Sequence, residues 1–377
     1  MKWAVQKLEE IVSIKTGKLD SNAAVPNGQY PFFTCDPQTL AINTYAYDTE
    51  AVLLAGNNAS GNYTAKYYHG KFNAYQRTYI IESIDKGKLD IHYFLYALNE
   101  QLALLKSISS GSTTKFLTMS MLKPLSVPCP TISVQHRIAS ILSAYDDLIE
   151  NNRRQIKLLE EAAQRLYREW FVELRFPGHE SVKVVDGVPE GWMKGTLNTI
   201  AEFTGKKANK AERERYKCYL PIDCLPKKSL AYINHDNISN AESSLLSFAK
   251  YDIIFGAMRP YFHKVVIAQE EGLTRSTCFV INSRSKEYWS YVCMLLFSEE
   301  AIDYATHVSV GTTMPYVRWK DFERMPVLIP SQKVAAHFHE MLLPIIQKIS
   351  CIAKHIALLS EARDRLLPKL MSGEMEV

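Results

Sequence analysis

The sequence predicts an α+β protein: two similar globular domains joined by two long helices that pair as an antiparallel coiled coil. Three observations carry that expectation. The chain repeats itself at a distance of 200 residues. Each copy opens with short β-branched and aromatic runs broken by Gly, Asn and Pro, the pattern of strands and turns. Each copy closes with a long segment whose apolar positions recur at heptad spacing.

The repeat is plainest between "GSTTKFLTMSMLKPLSVPCPTISVQHRIASIL" (111–142) and "GTTMPYVRWKDFERMPVLIPSQKVAAHFHEML" (311–342). Gly111 falls on Gly311, Thr113 on Thr313, Val127 on Val327, Pro130 on Pro330 and Leu142 on Leu342. The register runs on through Ile149 and Ile349, Ile156 and Ile356, and Arg165-Leu166 and Arg365-Leu366. Upstream it is weaker. Leu8, Ile11 and Thr16-Gly17-Lys18 resemble Leu197, Ile200 and Thr204-Gly205-Lys206, and Gly56 is set against Gly256. So long a period means tandem duplication rather than a solenoid, and two similar halves are expected to pack with approximate two-fold symmetry. With 377 residues the chain divides into a first globular domain (1–130), a central helical spacer (131–176), a second globular domain (177–330) and a C-terminal helical spacer (331–377).

Along the first domain, "IVSIKTGK" superficially suggests a phosphate loop. It lacks that motif's upstream glycine and following hydroxyl, and so does its echo at Thr204-Gly205-Lys206. It reads better as a first strand and turn. "YPFFTC", "EAVLLAGN" and "QRTYIIES" read as strands, as do "YDIIFGAM", "KVVIA" and "STCFVIN" in the second copy. Segments 91–105 and 287–304 read as helices inside those domains.

Pro130-Thr131 and Pro330-Ser331 mark the starts of the long helices, and Pro177-Gly178 stops the first. Ile138, Ile141, Tyr145, Leu148, Asn152, Leu159, Ala162 and Leu166 fall on a and d positions. Phe338, Met341, Ile345, Ile352, Leu359, Ala362 and Leu366 do so in the second copy, where Pro344 is expected to kink or break the helix. Asn152, Gln155, Lys348 and His355 either fix the register or face solvent.

Composition narrows function only mildly. A net charge of +4 suits a nucleic-acid partner without requiring one. The N-terminus has no apolar signal core and no window holds 18 uninterrupted apolar residues, so a soluble cytoplasmic protein is expected. Seven scattered cysteines read as reduced thiols, with no second pair to make Cys218 and Cys224 a zinc site.

Two related domains on a helical spacer suit a target with two separated sites. A helix of roughly 40 residues is about 60 Å long. Domain centres ~45 Å apart would span half-sites about 13 base pairs apart on duplex DNA. Because the halves differ in sequence, the half-sites should differ too. The DNA-reading candidates in the first domain are Lys18, Asn57, Asn58, Asn62, Tyr63, Lys66, Tyr67, His69, Gln76, Arg77, Ser112, Thr113 and Lys115. Those in the second are Lys206, Arg259, Tyr261, His263, Lys264, Arg275, Thr312 and Thr313. Asn and Gln can pair with adenine, Arg with guanine, and Lys and Tyr with phosphate. The turns at 111–115 and 311–313 either hold a phosphate on free N–H groups or simply start the final strand.

These residues carry a family resemblance. "LEEIVSIKTGK…NGQYPFFTC", "AGN…AKYYHGKFNAYQRTYI", "GSTTKFLTMSMLKPLSVPCP" and "QHRIASILSAYDDLIENNRRQIKLLEEAAQRLYREWFVE" resemble the specificity subunit of type I restriction–modification systems, in order and over essentially the whole chain. The resemblance implies two target recognition domains, each reading half of a bipartite DNA sequence. It implies helices that set the spacer and dock modification (methyltransferase) and restriction (motor and nuclease) subunits. Ile141, Tyr145, Leu148, Asn152, Leu159, Leu166, Met341, Ile345, Ile352, Leu359 and Leu366 are the helix candidates for that role. It implies no catalytic residue and no metal here. S-adenosylmethionine, ATP and Mg2+ would serve the partner subunits. The sequence departs from the family in having Val134-Gln135 where an acid-Gln pair precedes "RIA", and Ala335-Ala336 in the second copy.

The rival readings are a self-contained methyltransferase or nuclease and a coiled-coil scaffold. Against the first, the sequence has no Asn/Asp-Pro-Pro-aromatic tetrapeptide, no phosphate loop for an ATP motor and no H-E-x-x-H. The second leaves two α+β domains without a purpose.

Overall fold

The computed structural model describes residues 3–111 and 114–377; Ser112 and Thr113 lie outside the described residues. The chain forms two compact units. One comprises residues 1–147 and 360–377, the other residues 148–359. Each unit therefore takes in the start of one long helix and the end of the other together with a globular domain. The protein is α+β, two similar sheet-and-helix domains with a two-helix coiled coil.

The first unit is built on a six-stranded sheet. Its strands lie in the order Val12–Thr16, Thr78–Ser83, Tyr47–Ala55, Ala65–Ala74, Tyr30–Phe33, Leu40–Ile42. Alternation sends Val52 and Leu54 to the face covered by helices, while Ala51 and Leu53 pack with Phe33, Phe72 and Ile80 on the other. The helical face is covered by Ile91–Asn99 and by Ile138, Leu142, Leu370 and Met371 of the long helices.

The second unit repeats the first four strands as Ala201–Phe203, Cys278–Ser283, Ile253–Gly256 and Val265–Ile267. Val52 faces Ile81 in the first sheet and Ile253 faces Ile281 in the second. Beyond this framework the copies diverge. The chain after Phe203 enters a separate four-stranded sheet, Lys206–Ala208 to Leu245–Phe248 to Gly272–Arg275 to Cys218–Tyr219.

The duplication reaches single hydrogen bonds. Tyr93 donates its hydroxyl to Pro128 O and Tyr291 donates to Leu328 O. Ser110 and Phe116 exchange backbone bonds, as do Val310 and Tyr316. The same accounting corrects one alignment. Gly56 N donates to Arg77 O and Gly56 O accepts from Leu117 N; Ala257 makes the matching bonds to Thr277 and Val317. Gly56 therefore corresponds to Ala257, one residue beyond Gly256. The segments read as single helices at 91–105 and 287–304 are each split, into Ile91–Asn99 and Leu102–Ile108, and Trp289–Leu296 and Glu299–His307.

The long helices are Ile132–Tyr167, which ends in a π-helical turn Arg168–Val172, and Gln332–Ser372. In the first, two columns at seven-residue steps turn inward: Gln135, Leu142, Ile149, Ile156, Ala163, Trp170, and Ile138, Tyr145, Asn152, Leu159, Leu166. In the second they recur 200 residues on as Ala335, Leu342, Ile349, Ile356, Arg363, Leu370, and Phe338, Ile345, Ile352, Leu359, Leu366. The expected a/d assignment is thus half corrected: Ile141, Leu148 and Met341 are exposed, and the seam uses Leu142, Ile149 and Leu342. From Ile138 both i+3 and i+4 lie on one side of a helix. Both continuations are apolar here, so only packing decides between them. Lys348 and His355 are exposed and do not set register. Pro344 does not break the second helix, which keeps its inward columns in step on both sides of it. The ring lies on the exposed face, where the missing N–H is on the solvent side. By length and composition Gln332–Ser372 is apolar enough to cross a membrane, but its apolar column Leu342, Ile349 and Ile356 is buried in the second unit's core.

Candidate nucleic-acid interface

At one end of the first unit's sheet, four chain segments close on one another. Gly17 N donates to Thr78 O, Gln76 N to Leu19 O, Gly56 N to Arg77 O and Leu117 N to Gly56 O. The Tyr79 hydroxyl donates to Leu117 O at 2.8 Å. Two glycines make this closure possible: a Cβ on Gly17 would sit 2.2 Å from Ala74 O, and one on Gly56 2.3 Å from Arg77 O. The result is a cavity of about 480 Å³ lined by Thr16, Lys18, Gln76, Arg77 and the two glycines, among others. Lys18, Gln76 and Arg77 are all exposed there.

The polar loop 57–62 continues that surface. Asn57 pairs with Phe116 and Asn58 with Lys115. Asn58 Oδ1 accepts from Ser60 N, Ser60 Oγ and Asn62 N, which stiffens the loop. Lys106 Nζ donates to Asn62 Oδ1 at 2.7 Å. Lys106 and Lys115 both pack beside Gly61. Segments 16–19, 55–62, 75–79 and 114–117 contain no acidic residue, so Lys18, Arg77, Lys106 and Lys115 define a positive surface with amide side chains between them. Lys106 was missed by sequence reading because it sits in the last turn of an interior helix, Leu102–Ile108.

Other candidates are spoken for. Tyr63 is buried and its hydroxyl finds no partner among the described residues. Tyr67 donates its hydroxyl to Glu50 Oε1 and stacks on His92 at 4.3 Å between ring centroids. Lys66 is half-buried, which lowers its pKa, and its ammonium donates to Asp36 O and Thr39 Oγ1. These three are corrected from DNA-contact candidates to framework residues. His69 is exposed but on the strand Ala65–Ala74, outside the cavity. Ser112 and Thr113 lie outside the described residues.

The second unit closes its corresponding end with the same backbone pairing, Met258 with Tyr316 where the first has Asn57 with Phe116, but presents different side chains there. Arg259, in left-handed backbone (φ +50), donates its N–H to Pro315 O and Nη2 to Thr313 O. That draws Arg259, Tyr261, Thr312 and Thr313 around the Gly311 turn; Tyr261, Thr312 and Thr313 are exposed. Lys206 and Arg275 are exposed on the added sheet. His263 is a correction: only 3% exposed, it bonds Phe297 O through Nε2, and burial lowers its pKa. Lys264 turns inward to donate to Ile222 O at 2.7 Å.

Gln135 has a role the sequence did not reveal. It is fully buried, donates to Lys88 O and Pro130 O, and accepts from Asp90 N. It ties the start of the first long helix to the 88–90 loop, and Ala335 at the equivalent place makes no such tie.

Duplicated sheet frameworks with diverged ends, basic and amide-rich in the first unit, are the arrangement of a two-domain protein suited to reading DNA. Comparison with known proteins carries this further. Residues 1–161 match the type I restriction modification DNA specificity domain. The chain is 31% identical over 310 residues to the MjaIX specificity subunit of Methanocaldococcus jannaschii, covering 76% of this chain and 68% of that one. It is 29% identical over 355 residues to the EcoDI specificity subunit of Escherichia coli, covering 87% and 78%. The crystal structure of a type I S subunit from M. genitalium shares the fold, with a TM-score of 0.64 at 17% identity over 98% of this chain and 96% of that one. The chain belongs to the type I restriction–modification specificity subunit family, the DNA sequence-recognition component of such systems.

Proposed function

We propose that this chain reads an asymmetric, two-part DNA sequence and holds methyltransferase and restriction subunits on it, itself performing no catalysis. The observation that supports this best is the contrast between framework and ends. Hydrogen bonds of the framework recur between the copies, and Lys18 has a basic counterpart in Lys206, whereas Gln76 and Arg77 of the first are replaced by Ser276 and Thr277 in the second, which presents Arg259, Tyr261, Thr312 and Thr313. A shared scaffold with different readers matches two different half-sites. Asn and Gln near Arg and Lys suit base edges flanked by phosphates.

In this reading S-adenosylmethionine, ATP and Mg2+ are bound by the partner subunits, and the complex works in the cytoplasm. Exposed Ile141 and Met341, equivalent in the two copies, are proposed as docking positions for those subunits. The test is methylation mapping in cells expressing the chain with its cognate subunits. A split motif with unlike halves is expected, and a continuous or palindromic motif would overturn the proposal. The purified chain alone should neither methylate nor cleave DNA with methyl donor, ATP and magnesium present.

A further inference from the structure

The reading end of the second unit exposes more apolar surface than that of the first, where Phe116 is exposed at 38%. Three large apolar side chains are exposed there: Tyr261 at 48%, Val310 at 49% and Met314 at 60%. They stand on braced loops. Val310 and Tyr316 exchange backbone bonds of 2.9 Å, and Arg259 N donates to Pro315 O at 2.7 Å. Arg259 and His263, which bracket Tyr261, both hold left-handed backbone, and His263 is anchored in the core by Phe297 O. Tyr261 packs against Phe262, whose ring in turn carries Lys227 Nζ at 4.3 Å. Basic groups therefore flank an apolar tip. At the positions 200 residues earlier the first unit has Ser110 and Thr114 in place of Val310 and Met314.

A rigid, exposed apolar tip gains nothing from phosphate and is costly to leave in water. On a DNA-reading surface its apolar partners are thymine methyl groups and base faces, and a side chain as long as Met314 reaches the faces. Met is long, unbranched and polarisable, and Met is among the side chains that wedge between base steps. We infer that Met314, supported by Tyr261, inserts against a base step of the second half-site and partly unstacks it, while the first unit reads its half-site through polar contacts. This rests on the DNA-reading role proposed above. Pyrimidine–purine steps unstack most easily, so the second half-site should contain one opposite the tip.

The full chain, free of methyltransferase subunits and so of any base extrusion by them, is titrated into duplexes carrying the mapped sequence, with 2-aminopurine placed at successive positions. Brightening is expected at one step of the second half-site and none in the first. Met314→Ala should abolish it and weaken binding about tenfold. Met193→Ala, which truncates an exposed apolar residue on the strand Met193–Thr196, should change neither. Sequence-specific binding without brightening anywhere in the second half-site, or brightening that survives Met314→Ala, overturns the wedge and leaves DNA reading intact. Equal affinity for the mapped and a scrambled duplex overturns both.

Discussion

Arg363 and Asp146 are 217 residues apart in sequence, and Arg363 Nη1 donates to Asp146 Oδ1 at 2.6 Å. The Tyr96 hydroxyl donates to the other carboxylate oxygen at 2.7 Å. One carboxylate on the first long helix thus gathers the end of the second helix and an interior helix of the first domain. Half-burial works against the Arg363 charge, and the bonds to Asp146 and Asp364 outweigh it, raising its pKa. Arg363 occupies the inward position that Ala163 holds in the first copy, so this latch belongs to one unit only.

Breaking the latch should loosen the first unit. Asp146→Ala and Arg363→Ala are each expected to destabilise, with a coupling of about 1 kcal/mol or more in a double-mutant cycle followed by chemical denaturation. Additive effects would mean that the pair contributes nothing jointly.

The corrected helix seam is testable by neighbouring truncations. Leu142→Ala empties a fully buried site and should cost about 2–5 kcal/mol of stability. Ile141→Ala, one residue away and 36% exposed, should cost within about 0.5 kcal/mol and instead weaken assembly with partner subunits. Thermal melts and co-purification separate the two outcomes.

Glu160 gives the second unit a pH dependence. It is buried, accepts from Ser229 Oγ and Leu230 N at 2.7 Å each, and burial raises its pKa to about 7. Between the unfolded value of 4.5 and about 7 the folded state holds a proton that the unfolded chain has lost, so stability falls as pH rises through that window. The loss should be on the order of 2–3 kcal/mol by pH 8. Glu160→Gln keeps an acceptor for both donors and should flatten the difference between urea midpoints at pH 5 and pH 8.

Reading residues should act on one half-site each. Arg77→Ala or Gln76→Ala should relax discrimination in one half by about 1–3 kcal/mol, and Arg259→Ala in the other. Lys18→Ala should instead weaken binding to all sequences and lower the salt slope by about one. Competition binding with half-site variants distinguishes these patterns.

Seven residues inserted at 147–148 and at 359–360 preserve the seven-residue columns and add about 10 Å of helix. The preferred spacer should lengthen by about three base pairs with both half-sites unchanged. An unchanged spacer in methylation mapping would count against the helices as a ruler.

The sequence by itself determined the duplication, the two α+β domains and the helices that accompany them, because apolar periodicity and a constant 200-residue offset are properties of the chain alone. It also singled out Lys18, Gln76, Arg77 and Tyr261, which the fold leaves exposed on loops at the ends of the sheets. Tertiary structure alone decided the rest. Leu142 rather than Ile141 faces the seam because two apolar columns were available and only one meets a partner. Tyr63, Lys66 and His263 carry the chemistry of DNA contacts, yet burial or a neighbouring carbonyl claims each of them. Gln135 and Arg363 acquire their roles only from partners distant in sequence. Hydrogen-bond satisfaction depends on what the folded chain brings within 3 Å, and a linear pattern does not contain that information.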